Sequence, residues 1–360
     1  MALVILRANP PERLVDRDFS GGRQTSTTTE PLALAIDLGG TWFRVAAISR
    51  GGDVVARLQR PTAAQRAAEE VVRDLCAGVR EIRDQVTNRQ IVGLGVSAPG
   101  PLDPEAGVII EAPGLPQWRN VPLTRLLEEE LGLSVALGND ANLAALGEAR
   151  CGAGRGAAHL VYLTVSTGVG GGMIVDGRLL LGVRGLAGES GHMNIWPDGA
   201  PCGCGNRGCL EAYASGAGLV RLAHDAIAAG RPTELVAHGA DLRAVDIAES
   251  ADRGDPLARE LFHQAGTALG IGVRNLLHLF NPSAVVIGGG VSRAGAILWE
   301  PMLAVVDADR YGTFRSDARI LQAELGDDPG LVGAGLFAHD RFGDVLMGAP
   351  ATDPSARIEA

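Results

Sequence analysis

Lysine is absent from this chain of 360 residues, so all 32 basic side chains are arginines. The absence excludes several chemistries that depend on a lysine, including the Walker A phosphate loop, pyridoxal phosphate enzymes and Schiff-base aldolases. A nucleotide bound to this chain must therefore be held by backbone N–H groups, hydroxyls, arginines and a metal ion.

Long hydrophobic runs are also missing, and no stretch approaches the ~18 uninterrupted apolar residues of a membrane span. The apolar residues 1–6 are too short for a signal-peptide core, and no basic residues precede them. The composition, 46% hydrophobic and 21% charged, is typical of a soluble globular protein. We therefore expect a cytoplasmic protein without a membrane partner.

The net charge of −10 comes without a basic cluster that could offset it locally. Nucleic acid repels such a chain unless a basic patch is segregated, so no nucleic-acid partner is expected. Three of the five cysteines, Cys202, Cys204 and Cys209, are clustered in a glycine-rich stretch. This spacing does not resemble the scattered disulfide framework of a secreted protein.

The pattern along the chain predicts two α/β domains, preceded by a disordered extension over residues 1–30. Strands alternate with helices from residue 31 onward, which is typical of an α/β fold. Besides the C-terminal helix, the predicted helices cover 63–86, 123–131, 141–150, 217–229, 242–251 and 256–280. We predict a small domain over 31–140, completed by a C-terminal helix near 328–345, a large domain over 141–327, and a flexible tail over 346–360. Residues 99–122, rich in proline and glycine, are predicted to form a long loop with at most one short strand.

Three glycine turns are candidates for phosphate binding because glycine lets the backbone expose its N–H groups to an anion. Each turn alone is typical of a tight turn, and the three in order are more specific than any one. The first contains Asp37, Gly39, Gly40 and Thr41, the second Thr167, Gly168 and Gly170, and the third Gly288, Gly289 and Gly290. Asp37 is additionally a candidate for holding Mg²⁺ through water.

These turns, the pair Asn139-Asp140, the sequence Gly-Glu-Ser-Gly-His at 188–192 and the cysteine-rich stretch 202–211 resemble the ROK family of sugar kinases and sugar-responsive repressors. The similarity runs from about residue 32 to about residue 337. It implies a duplicated actin-like ATPase fold of the ribonuclease-H-like, hexokinase type, with ATP and sugar in an interdomain cleft. One departure is Trp42, since many members have lysine after the first threonine.

The resemblance also implies roles for individual residues. It implies that Asp140 is the general base and that Asn139, Glu189, His192 and Glu211 bind the other sugar hydroxyls. It implies that the first two glycine turns contact phosphates and that the third contacts the nucleoside. Position alone equally indicates that Asp140 is a helix N-cap, and the two roles are compatible. Glu189 and Glu211 are, without the resemblance, equally typical of solvated loop carboxylates.

Cys202, Cys204, Cys209 and His192 form a Cys₃His set, whose thiolates and imidazole are zinc ligands. Because four protein ligands leave no position for water, the zinc is expected to be structural. The alternative is a set of free thiols or a redox pair.

The predicted activity is transfer of the γ-phosphoryl group of ATP to the primary hydroxyl of glucose. The alternatives are kinases of N-acetylmannosamine or another hexose, or a non-enzymatic sugar-sensing regulator, although residues 1–30 lack the two periodic helices of a helix-turn-helix. The expected partners are the hexose, ATP with Mg²⁺, and further copies of the chain in a homodimer or homotetramer. Polyphosphate remains open as a donor.

Overall fold

The computed structural model describes residues 30–346, so the predicted N-terminal extension and C-terminal tail lie outside the described residues, apart from one residue each. The strands are β1 (Leu32–Leu38), β2 (Trp42–Ile48), β3 (Val54–Pro61), β4 (Ile91–Ala98), β5 (Leu102–Asp103), β6 (Val108–Glu111), β7 (Arg119–Val121), β8 (Val135–Asn139), β9 (Leu160–Val165), β10 (Val169–Val175), β11 (Arg178–Leu179), β12 (Ala284–Gly288) and β13 (Arg319–Gln322). The helices are α1 (Ala68–Gln85), α2 (Leu123–Leu131), α3 (Asp140–Cys151), α4 (Glu211–Ala214), α5 (Gly216–Ala228), α6 (Ala244–Arg253), α7 (Pro256–Phe280), α8 (Ala296–Asp307), α9 (Gly312–Asp317) and α10 (Pro329–Leu346).

Two five-stranded sheets have the same topology. The first has the order β3-β2-β1-β4-β8 and the second the order β11-β10-β9-β12-β13. In each, the first three strands in chain order are antiparallel and the last two run parallel to the central strand. The central strands β1 and β9 are continuous apolar runs because both of their faces are covered. The repeated topology confirms the predicted duplicated α/β fold.

Helices α3 and α10 pack against each other between the two sheets. One buried cluster combines side chains from both sheets with side chains from both helices, for example Ala35, Leu143, Tyr162 and Leu331. Glycines permit the close approach, since a Cβ at Gly333 of α10 would overlap the carbonyl oxygen of Leu143. The two halves therefore share a packed core, and the carboxyl ends of their strands face a common cleft.

Several elements differ from the sequence prediction. The helix predicted from residue 63 begins at Ala68, because Thr62 supports the first glycine turn and Ala63 has a non-helical φ of 51°. Buried Thr62 donates its hydroxyl to the Gly39 carbonyl (2.7 Å) and its N–H to the Thr41 carbonyl (2.9 Å). The long loop contains three strands, β5, β6 and β7, which form a small antiparallel sheet. Their shortness hides the period-2 pattern by which strands are recognised.

Within residues 30–346, no helix combines the length and the apolar character needed to cross a membrane.

Candidate active site

Strand β8 delivers two polar residues to the cleft at its carboxyl end. Asn139 ends the strand and caps α3, because its Oδ1 accepts the N–H groups of Ala141 (3.0 Å) and Asn142 (3.2 Å). The prediction that Asp140 is the N-cap is therefore wrong: Asp140 is the first residue of the helix itself. Capping occupies Oδ1 of Asn139 and leaves its Nδ2 as the donor available to a ligand.

Asp140 remains accessible to solvent, but its carboxylate is recessed among protein atoms. Desolvation, aided by the charges of Asp37 and Glu189 and opposed by a hydrogen bond from the Ala141 backbone, raises the pKa of Asp140 to about 6. The three carboxylates therefore face the same cleft. A carboxylate with a pKa near neutrality is suited to accept a proton from a hydroxyl.

Asp37 lies at the cleft end of β1, where strand pairing sets its neighbours. It pairs with Ser97 of β4 and with Arg44 of β2. The Ser97 hydroxyl donates to Oδ1 (2.9 Å), and Arg44 Nη1 donates to Oδ2 (3.0 Å). Burial raises the pKa of Asp37, whereas the hydrogen bonds from Ser97 and Arg44 and the charge of Arg44 act to lower it. The first turn of α10 lies against the carboxylate, since a Cβ at Gly330 would be 2.9 Å from Oδ1.

The second and third glycine turns are neighbours because β9 pairs with β12. Gly288 pairs with Thr164, and Gly289, at φ +90°, lies so close to Val165 that a Cβ would overlap its carbonyl. A Cβ on Gly290 would meet nothing within 4 Å, so this residue faces open space. Gly170 lies inside β10 and packs against α3. Its phosphate contact, like those of the other turn residues, stays a prediction.

The four predicted zinc ligands are brought together. The nearest ligand atoms of His192, Cys202, Cys204 and Cys209 all lie within 4.8 Å of one another. The Sγ atoms of Cys204 and Cys209 are 3.7 Å apart. Two sulfurs bound to one tetrahedral zinc at about 2.3 Å would be about 3.8 Å apart, so the donor set fits this metal.

The thiols in this cluster differ in acidity. A backbone hydrogen bond at Asn206, aided by the neighbouring thiols and His192, lowers the pKa of Cys204 to about 7. Burial raises the pKa of Cys209 to about 12. A bound cation would reverse the second effect, because coordination deprotonates a thiol.

The predicted sugar-binding residues surround the same cluster. His192 Nδ1 lies 3.8 Å from Cys202 Sγ, and its Nε2 lies 4.0 Å from Glu189 Oε2. Glu211 begins α4, and its Oε2 accepts the N–H of Val169 (2.9 Å) next to the second glycine turn. Glu211 therefore joins the cysteine-rich loop to that turn.

Sequence reasoning missed Arg44, Ser97, Thr62 and Glu148. Glu148 is a fully buried carboxylate on α3 that accepts the N–H groups of Ala153 (2.8 Å), Glu324 (3.0 Å) and Leu325 (2.8 Å). The sequence signal that could have found Glu148 is a charged residue within an otherwise largely apolar helix. Trp118, in the loop before β7, is fully buried.

The fold and this cleft define a two-part α/β protein of the actin-like ATPase class, with an acidic site between its halves. The chain belongs to the ROK family, whose family model matches residues 33–341. It is 36% identical to the glucokinase of Thermotoga maritima over 313 residues, which covers 86% of this chain and 98% of that protein. A putative xylose repressor from Caldicellulosiruptor is 31% identical, covering 82% of this chain and 75% of its own length.

Solved structures show the same fold. The ROK hexokinase of Thermus thermophilus superposes with a TM-score of 0.77 at 36% identity, covering 87% of this chain and 99% of the other. A ROK glucokinase from Streptomyces griseus, in complex with glucose and AMPPNP, gives a TM-score of 0.71 at 34% identity, with coverages of 86% and 99%. The expected family and fold are thus confirmed.

Proposed function

We propose that this chain is an ATP-dependent glucokinase, which transfers the γ-phosphoryl group of ATP to the primary hydroxyl of glucose. The observation that carries the proposal is Asp140, whose accessible carboxylate has a pKa raised to about 6 at the meeting point of the two halves. The similarity to curated and solved glucokinases supports the same activity.

In the proposed reaction, Asp140 orients the primary hydroxyl and takes its proton as the oxygen attacks the γ-phosphorus. The bond between that phosphorus and the β,γ-bridging oxygen breaks, and ADP leaves with the electron pair. Positioning supplies much of the rate in phosphoryl transfer, so the rigid junction of β8 and α3 suits this role.

The remaining sugar hydroxyls would be bound by Asn139, Glu189, His192 and Glu211. Asn139 offers its Nδ2 as a donor, whereas the two carboxylates offer acceptors. Glu211 accepts the Val169 N–H with Oε2 (2.9 Å) and the Cys202 thiol with Oε1 (3.7 Å), and each carboxylate oxygen has a further lone pair for a sugar hydroxyl. Glucose is placed before N-acetylmannosamine because Glu189, His192 and Glu211 suit adjacent hydroxyls, whereas a 2-acetamido group would replace one hydroxyl and need more space.

The phosphates of ATP would lie against the glycine turns, with Gly39, Gly40, Thr41, Thr167 and Gly168 on the phosphates and Gly288–Gly290 nearer the nucleoside. Asp37 would hold Mg²⁺ through water. Each Asp37 oxygen already accepts one hydrogen bond from the protein, and a carboxylate oxygen has a further lone pair for a metal-bound water. Mg²⁺ would supply charge neutralisation during phosphoryl transfer.

Zinc would be held by His192, Cys202, Cys204 and Cys209 and would order the loop that carries Glu189 and Glu211. We further propose a cytoplasmic protein that acts in carbohydrate metabolism, at the entry to glycolysis, and that assembles as a homodimer or homotetramer. The cleft would close by movement of a domain comprising 31–140 and 328–345 against a domain comprising 141–327.

The test is a coupled ADP assay that measures kcat/KM for glucose, mannose, fructose, N-acetylglucosamine and N-acetylmannosamine. We expect the highest value for glucose, because a site built for hydroxyl pairing discriminates strongly against an analogue that leaves its polar groups unpaired. A higher value for an N-acetylated sugar would replace the substrate assignment and leave the kinase assignment intact. Sugar binding without ATP consumption would instead favour the regulator class.

A further inference from the structure

Three buried polar side-chain atoms lack a hydrogen-bond partner within residues 30–346, namely Trp118 Nε1, Asn142 Oδ1 and Ser190 Oγ. Asn142 and Ser190 are only 2% and 3% exposed. Because most buried polar atoms in proteins are paired, two unpaired atoms beside the candidate active site call for an explanation.

Both residues lie within two positions of a candidate active-site carboxylate in the sequence. Asn142 lies on α3, two residues after Asp140. Ser190 begins the 3₁₀ turn Ser190–His192 and directly follows Glu189. Asn142 therefore moves with α3, which begins with the proposed general base Asp140. Ser190 moves with the turn that follows the proposed sugar-binding residue Glu189.

The two unpaired atoms lie around one close backbone contact between Gly171 and Gly188. A Cβ on Gly188 would be 3.4 Å from Asn142 Oδ1, and a Cβ on Gly171 would be 2.5 Å from Ser190 Oγ. A Cβ on either glycine would be 2.7 Å from the carbonyl oxygen of the other. Asn142 and Ser190 thus flank the same packed junction between α3, β10 and the sugar-binding loop.

Their hydrogen-bonding capacities are complementary. The backbone N–H groups are already used, since Ser190 N donates to the Gly188 carbonyl (2.6 Å) and Asn142 N donates to Asn139 Oδ1 (3.2 Å). The atoms that remain are an amide oxygen, which only accepts, and a hydroxyl, which can donate.

We propose that Asn142 and Ser190 form a positioning contact through one buried water, which accepts the Ser190 hydroxyl and donates to Asn142 Oδ1, and that this contact fixes the separation of Asp140 and Glu189. Neither residue touches the substrate. A hexose held by Glu189 must present its hydroxyl to Asp140, and misplacement by about 1 Å can cost ~10²-fold in rate. The kinetic part of this inference rests on the proposed function.

The experiment is a double-mutant cycle with Ser190→Ala, Asn142→Ala and the combined variant, measured for the melting temperature of the free protein and for kcat/KM. We expect each single variant to lower kcat/KM for glucose about 10-fold. The KM for ATP should stay unchanged, because the contact lies on the sugar side. The combined variant should lose no more than the worse single variant, since both remove one interaction.

Two further variants separate positioning from general destabilisation. Ser190→Thr keeps the hydroxyl and should retain kcat/KM close to that of the wild type. Ser250→Ala removes a fully buried hydroxyl from α6, outside the cleft, and should lower the melting temperature without changing kcat/KM. Losses that multiply in the combined variant, failure of Ser190→Thr to retain activity, or an equal kinetic loss in Ser250→Ala would each overturn the proposal.

The melting-temperature cycle requires no turnover. If the wild type does not phosphorylate glucose but the changes in melting temperature of the variants are non-additive, the contact is retained and only the proposed function is rejected. Additive melting temperatures in an active glucokinase would reject only the contact.

Discussion

In the first half of the molecule only six residues, 62–67, lead from β3 to α1, whereas in the second half residues 180–210 lead from β11 to α4. The short connection supports the first glycine turn through Thr62. The long connection carries Glu189, His192 and the three clustered cysteines.

The acids are distributed in the opposite way. Asp37 and Asp140 lie at the ends of β1 and β8 in the first sheet, whereas β9 and β13 of the second sheet end in Val165 and Gln322. The same five-stranded scaffold therefore presents Asp37 and Asp140, the proposed acids of phosphoryl transfer, in the first half, and Glu189, His192 and Glu211, three of the four proposed sugar-binding residues, in the second. The two halves therefore share their strand topology but differ in the functional residues at their strand ends and in their connecting segments.

The largest difference between the roles of the two halves should appear when the proposed general base, Asp140, is removed from the first half. Asp140→Asn keeps the shape but loses the basicity, so we expect kcat to fall at least ~10²-fold while glucose binding survives. Steady-state kinetics and calorimetric sugar binding measure both. Asp176→Asn, which removes a largely exposed carboxylate of the second half, is the matched control. Near-normal kcat in Asp140→Asn would reduce Asp140 to a structural residue.

The same residue makes a pH prediction whose sign follows from its pKa. Since the pKa of Asp140 is raised to about 6, kcat should be constant above that pH and fall as the carboxyl is protonated below it. Because the folded-state pKa exceeds the ordinary value, ionisation of Asp140 disfavours the folded state at neutral pH. Asp140→Asn should accordingly keep or raise the melting temperature, and a marked drop would contradict this electrostatic interpretation.

On the second half, the corresponding experiment removes a metal ligand. Cys204→Ser should lower the melting temperature and glucose affinity together, because the metal orders the loop that carries His192 and leads to Glu211. Elemental analysis of wild-type protein should give one zinc per chain. Cys151→Ser, outside the cluster, should change neither quantity. Metal-free protein with full activity and an unchanged melting temperature would exclude the structural zinc.

Glu148 tests how strongly the second half depends on the attachment of α3 to the segment after β13. Glu148→Gln replaces an acceptor oxygen by an NH₂ group that faces backbone donors of residues 324 and 325. We expect the free energy of unfolding to fall by about 1–3 kcal/mol, measured by urea denaturation. Glu324→Gln, which removes a nearby carboxylate that is not fully buried, serves as the control. Equal stability of both variants would show that α3 does not need this attachment.

The smallest expected effect is a relative movement of the halves. Glucose with a non-hydrolysable ATP analogue should close the cleft and slightly reduce the radius of gyration in small-angle scattering. Hydrogen exchange should slow in residues 180–210 and around the first glycine turn. Unchanged scattering and exchange under saturating ligand would indicate a cleft that is already closed.

Much of the architecture was predictable because long periodic segments carry strong local signals. The strands of both sheets other than β11, helix α7 and the clustered cysteines all follow from patterning and spacing. The small sheet β5–β7, strand β11 and helices α4 and α9 were missed, since two- to four-residue strands and four- to six-residue helices carry little periodicity. Helix α8 has 12 residues and was also missed, because Pro301 in its interior argues against a helix. The start of α1 was misplaced because a tertiary contact of Thr62, rather than local propensity, fixes the preceding loop.

The sequence by itself determined the kinds of groups available: no lysine, one Cys₃His set, three glycine turns and an Asn-Asp pair after a buried strand. Only the tertiary structure decided how these groups are used. It made Asn139 rather than Asp140 the helix cap, paired Asp37 with Arg44 and Ser97, and brought Glu211 to the second glycine turn. The reason is physical: residue type sets which hydrogen bonds a side chain can make, whereas strand pairing and helix packing set which partners lie within reach.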